Sequence, residues 1–211
     1  MKLKDIFNTQ INETPIVGND DMYDGKFTDI EKQPIAAISH YIKLGDFEII
    51  TQNENRSAKH TVHFYRTPAE FKYVFGIIED DIFYELGYII LKPERNIPKY
   101  KNVYEVDAIE VANIVRKNGL STELYRFLVL QLRMNVLCGG VQYFGARKLW
   151  SRLSRQPDMA VDVVDMNTPK IIEKNAILKH GQNNDEFDPR YWDTFPSAAK
   201  FDGIRFVLRP K

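Results

Sequence analysis

The chain has 211 residues, 44% hydrophobic and 12% aromatic, with 29 Lys+Arg matched by 29 Asp+Glu. That apolar content excludes a disordered chain, and the zero net charge gives nucleic acid no support as a partner. Cys138 is the single cysteine, so an intramolecular disulfide and a cysteine-rich zinc site are excluded.

No run approaches the ~18–20 apolar residues of a membrane helix. The charged start, Met-Lys-Leu-Lys-Asp-Ile-Phe, lacks the apolar stretch of a signal peptide. The expected location is therefore the cytoplasm, with no membrane partner and a reducing environment that suits a lone cysteine.

Residues 1–28 are polar and turn-rich and read as an extended arm, to be laid over the body or against a partner. From 30 to 44 the spacing of Ile35, Ile38 and Ile42 predicts a helix stopped at Gly45. A short strand at 47–51, a polar loop at 52–59 and an alternating strand at 61–66 follow. The aromatic and β-branched runs 71–79 and 82–91, joined by Asp80-Asp81, predict an antiparallel hairpin that Pro93 and Pro98 close.

Residues 103–111 are the next strand. Leu124, Phe127, Leu128 and Leu132 give the following segment, from Leu120 to about Val136, the apolar face of a helix. Gly139-Gly140 ends that helix or a short strand after it. A second helix at about 143–155 carries Ala146, Leu149, Trp150 and Leu153 on one stripe. A strand at 160–166, an irregular polar segment at 167–200 and a C-terminal strand at 203–208 complete the chain. Helices interleaved with mostly antiparallel strands predict an α+β fold with one mixed central sheet. The expected organisation is the arm plus a single domain over 29–211, with its core at 70–166.

Between the strand ending at Val111 and the helix from Leu120, the chain reads Val111-Ala-Asn-Ile-Val-Arg116-Lys117-Asn118-Gly119-Leu120-Ser121. A strand–turn–helix of this kind can point several unpaired backbone N–H groups at one spot, with the helix N-terminus behind them. That suits a phosphate or pyrophosphate. The R-x-x-G-x-[small] pattern resembles the acyl-CoA pyrophosphate loop of the GNAT superfamily of N-acyltransferases. The apolar residue five positions before the Arg, the segment Gly145-Ala-Arg-Lys-Leu-Trp150 and the following V-x-V-V-D strand stand at similar spacings. The combination resembles the divergent GNAT-like proteins of tailed bacteriophages.

The resemblance implies a GNAT-like fold and an N-acetyltransferase with acetyl-CoA as cosubstrate and no metal, acting in a host cytoplasm if phage-encoded. Val111 would be the donor's main backbone contact, and Arg116, Lys117, Asn118, Gly119, Leu120 and Ser121 would form the pyrophosphate loop. Glu105, eleven positions before Arg116, would be the base that takes the acceptor's proton, with Asp107 and Glu110 as neighbours on its strand. Trp150 stands where many relatives carry a tyrosine acid, and an indole cannot protonate a leaving thiolate; Tyr143 is the substitute within reach. The acceptor is an amine on a protein or small molecule, and transfer would be direct. The alternative is an inactive GNAT-fold structural or host-interaction protein with a host protein as partner. The arm leaves a homodimer open.

The remaining candidates have plainer readings. His60 and His63 fall on opposite faces of one strand and do not make a metal site. Cys138 reads as a small buried residue. Arg147, Lys148, Arg152 and Arg155 read as a solvated basic face that could also meet a CoA phosphate. The Tyr191-Trp192 pair reads as a packing anchor or part of an acceptor cleft.

Overall fold

The computed structural model of the chain describes residues 30–53, 56–94, 97, 99–112, 115, 119–139, 144–179, 190–191 and 203–211. The fold is mixed α+β, dominated by mostly antiparallel sheet with few helices. It divides into two compact units, residues up to 90 with 109–123, and 91–108 with 124–211.

The first unit begins with β1 (Glu31–Pro34), a single 3-10 turn (Ile35–Ile38) and β2 (Ile42–Asn53). This corrects the helix expected over 30–44. Ile38 is buried, but Ile35 and Ile42 are 38% and 50% exposed, so the three isoleucines share no apolar face. Pro34 has the extended backbone of a residue that ends a strand, and its missing N–H suits the edge of a sheet. Gly45 is not a helix stop; it sits at a register shift within β2.

β3 (Arg56–Arg66) pairs with β2 out to Asn53↔Arg56, so residues 52–53 and 56–59 of the expected loop are instead paired strand; 54–55 lie outside the described residues. The Lys59–Glu48 ion pair at 2.6 Å and the contact of Thr51 Oγ1 with His60 at 3.1 Å tie its strands together.

β4 (Lys72–Glu79) and β5 (Ile82–Glu94) form the expected hairpin. Asp80 and Asp81 both have positive φ, 51° and 59°, the backbone of the two-residue turn that matches strand twist. β5 runs through Pro93, which therefore does not close it; Pro98 lies outside the described residues. β1 adds to β5 with Glu31 opposite Glu85. The core of this unit is aromatic. Phe64 stacks on Tyr73, and Tyr65 meets Phe83 edge-on, each with centroids 5.6 Å apart. Gly87 is needed where it stands, since a Cβ there would run into the carbonyl oxygen of Glu110.

The second unit holds most of β6 (Val103–Val111), which runs parallel to β7 (Asn135–Leu137) from Val103↔Asn135 to Glu105↔Leu137. β10 (Ile204–Pro210) lies between β7 and β8 (Met159–Asp165), antiparallel to both. β8 starts and ends one residue before the expected 160–166. β9 (Lys170–Glu173) pairs with β8 inside the segment expected to be irregular.

Helix α1 (Leu120–Arg126) passes into a π-helical turn (Phe127–Gln131), so the helix expected to reach Val136 stops short. Arg133 takes a left-handed φ of 55° and turns the chain into β7. Leu124, Phe127 and Leu128 are buried as the apolar stripe requires.

Helix α2 (Phe144–Leu153) buries Trp150 and Leu153. The Trp150 indole lies between Tyr125 at 6.0 Å and Phe206 at 5.9 Å. A polar node stands in this apolar setting. Asp162, 1% exposed, accepts from Tyr100 at 2.6 Å, Arg209 Nε at 2.7 Å and the Asn175 backbone N–H at 2.8 Å. Burial opposes its ionisation, yet these donors together hold its carboxyl below the ordinary value.

Candidate functional site

In the first unit, Val111 ends β6 nearly buried, and the next N–H, of Ala112, donates to Leu86 O at 2.9 Å. Val115 N–H turns back on Ala112 O at 3.0 Å. Arg116, Lys117 and Asn118 lie outside the described residues. Gly119 has φ +76°, and no described residue lies within 4 Å of where a Cβ would stand. Leu120 is buried, Ser121 is half-buried, and the first helical turn closes from Glu123 N–H to Gly119 O at 3.1 Å.

The opening N–H groups of any helix lack intrahelical partners, and the Thr122 hydroxyl beside them is buried with no hydrogen-bond partner. A left-handed glycine and an unbonded hydroxyl fit an anion. Glu123 in the same turn does not, because it already meets the helix dipole with a carboxylate.

The three carboxylates of β6 are in different states. Glu105, in the second unit, is half-buried; burial pushes its carboxyl above the ordinary value, with Arg205 opposing and Glu94 and Asp107 reinforcing. Asp107 is exposed and paired with Lys92 at 2.9 Å. Glu110, in the first unit, accepts from the Tyr88 hydroxyl. Glu105 is thus the one whose carboxyl burial holds above its ordinary range. Trp150 is 2% exposed and wrapped by aromatic rings, so it offers no proton. Tyr143 and Trp192 lie outside the described residues.

A fourth carboxylate went unnoticed in the sequence. Glu85, in the middle of β5, is 4% exposed, and among the described residues no hydrogen bond or ion pair holds it. Burial pushes it up to about 7, with Lys72 drawing it down and Glu31 pushing it further up. Tyr41 and Tyr88 feel its charge in turn: burial and then Glu85 and Glu31 raise the Tyr41 phenol, while burial, the hydrogen bond to Glu110 and its charge, and last Glu85 raise Tyr88 to about 12. The Lys72 ammonium stands 4.5 Å from the Tyr88 ring centroid. The signal was one acidic residue inside the apolar run 82–91.

Other sequence candidates resolve into structure. His63 binds Asp46 at 2.7 Å and His60 meets Thr51. Among the described residues no group of three or more His, Cys, Asp or Glu is placed to hold a metal, and no helix is long and apolar enough to cross a membrane. Cys138 is buried, its sulfur accepting from Phe206 N–H at 3.1 Å.

The basic face expected to be solvated is not uniformly so. Arg147 is 8% exposed, and Arg155 donates to the carbonyls of Ser151 at 2.6 Å and Leu178 at 2.8 Å. Tyr191 is an anchor, its ring edge-on to Phe206 and its hydroxyl bonded to Glu173. No family model matches the chain, and no curated protein or solved structure matches it either.

Proposed function

We propose that this protein is an acetyl-CoA-dependent N-acetyltransferase of GNAT type, transferring directly to an amine. The observation that carries the reading is the parallel β6–β7 pair in mostly antiparallel surroundings. Its ladder ends at Glu105↔Leu137, and β6 runs on past it to Val111. The backbone groups of β6 beyond that ladder are those a thioester and its pantetheine arm would meet. The left-handed Gly119 at the entry to α1 adds support for the pyrophosphate loop.

Acetyl-CoA supplies an already activated acyl group. The protein's tasks are then to hold the donor along β6 and the 116–121 loop, to orient a neutral amine, and to accept its proton at Glu105. The amine nitrogen forms the new C–N bond as the C–S bond breaks, and the sulfur leaves as thiolate. With Trp150 in place of an acid, that thiolate leaves unassisted, as its low basicity allows.

A second reading, a GNAT-fold interaction protein without catalysis, is favoured by the same Trp150, sealed between Tyr125 and Phe206. Isothermal titration with acetyl-CoA separates the two. The transferase reading expects binding in the wild type and its loss in Gly119→Asp, whose carboxylate opposes the pyrophosphate. No binding in the wild type would sink it.

A further inference from the structure

β9 ends at Glu173, and the chain beyond it stays on the second unit without continuing the ladder to β8. Asn175 takes a left-handed φ of 52°, a conformation that asparagine tolerates better than most residues. That turn lays residues 176–178 along β8 and α2. Ala176 and Leu178 are 1% and 0% exposed, while Ile177 between them is 60% exposed.

Side chains hold this segment more than backbone does. Among the described residues one backbone bond joins it to a strand, from Ala176 N–H to Val161 O at 2.7 Å. At one end the Asp162 carboxylate accepts the Asn175 N–H at 2.8 Å. Arg209, itself fixed on Asp162, donates to the Asn175 side-chain oxygen at 2.9 Å. At the other end Leu178 N–H donates to Ser154 Oγ at 3.0 Å. The Leu178 carbonyl accepts from Ser151 Oγ at 2.9 Å and from Arg155 at 2.8 Å. Asp162, Ser151 and Ser154 are buried, so both ends are clasped by groups already fixed in place.

We infer that residues 174–178 are a strap, a unit that opens and closes as a whole over the seam of β8 and α2 while the sheet behind it stays paired. The clasps can release without breaking the β8–β10 ladder, which runs from Ile204↔Asp165 to Pro210↔Met159. Segments held outside a ladder are those that open below the global unfolding free energy. Closed, the strap covers the seat of Leu178 and the Val161 carbonyl. Open, it bares that seat together with two hydroxyls and a guanidinium. The inference does not rest on the transferase reading.

Native-state hydrogen exchange of the full chain, read amide by amide in low urea, is the test. In wild type the N–H groups of Asn175, Ala176 and Leu178 are bonded to three different acceptors. They should nevertheless share one opening free energy and one urea dependence, both below those of the β8 and β10 amides. Ser154→Ala deletes the acceptor at the Leu178 end alone. It should increase opening at Asn175 and Ala176 by about tenfold, leaving the β8 and β10 amides unchanged. Asn175→Ala, which removes the left-handed asparagine and the acceptor of Arg209, should do the same at Leu178.

Strap amides that exchange only together with β8 and β10 would make the segment a fixed part of the sheet and overturn the inference. So would a Ser154→Ala effect confined to Leu178, because the two ends would then open separately. Should either variant fail to fold, the wild-type comparison of the three amides with β8 decides by itself.

Discussion

Glu31 and Glu85 stand directly opposite each other across the antiparallel pairing of β1 and β5. Like charges in that position destabilise a sheet, and here one of them is almost wholly removed from water. The fold tolerates the pair because Glu85 holds its proton to about pH 7, burial making the neutral form the favoured one. Lys72 offsets part of this without forming an ion pair with it.

Stability should therefore fall as pH rises. A carboxyl whose folded pKa is raised costs nothing below its unfolded value, near 4.5, and its full penalty appears above about 7. The shift corresponds to about 3 kcal/mol. Glu85→Gln should remove it, gaining roughly that much at pH 8 and little at pH 4.5. Urea unfolding of both proteins at the two pH values measures this, and equal pH dependence in the variant would refute the assignment.

Asp162 has the opposite sign. Its folded carboxyl is held below the ordinary 3.8, so its contribution is present above that value and is lost as pH falls through the folded one. Asp162→Ala leaves Arg209 and Tyr100 without their shared acceptor, which should cost about 3–5 kcal/mol in denaturant melts. Adding Arg209→Met should recover part of that loss, because no cation is then left unpaired. A double variant no better than the sum of the singles would show that the network does not act as a unit.

The contrast between these two carboxylates bears on what could be read from sequence. The β4–β5 hairpin was legible because both strands carry β-branched and aromatic residues and Asp80-Asp81 supplies the turn. So were β6 and the α2 stripe that buries Trp150 and Leu153. The segment 30–44 misled because Ile35, Ile38 and Ile42 copy a helical period, while Pro34 and tertiary pairing with β5 decide otherwise. The outer half of the β2–β3 hairpin gave no signal, since its polar sequence lacks alternation. For the candidate site, Glu105 and Gly119 were marked through the resemblance of their positions to the GNAT donor strand and loop. Glu85 could be recognised only once burial was known, because an acid inside an apolar run reads equally well as an edge-strand charge.

Glu105 supplies a kinetic prediction under the transferase reading. Its raised carboxyl makes it a base that activates as pH rises through a value above the ordinary glutamate range. Glu105→Gln should leave acetyl-CoA affinity unchanged while lowering kcat by about 10²–10⁴-fold, and the acidic limb of the pH–rate profile should vanish with it. Stopped assays with a saturating amine acceptor provide the check. Full activity in the variant would move the proton-accepting role elsewhere.

Trp150 tests whether its position serves packing. The indole is 2% exposed and meets Tyr125 edge-on and Phe206 at a tilt. Trp150→Ala should cost about 3–5 kcal/mol, the sum of lost transfer energy and the cavity left behind. Trp150→Phe keeps one ring against Phe206 and should lose distinctly less. If the residue only fills space, the Phe variant, compared with wild type at a temperature where both are folded, keeps its acetyl-CoA affinity. A Phe variant that is stable yet has lost that affinity would show that the indole shapes the donor site as well as the core.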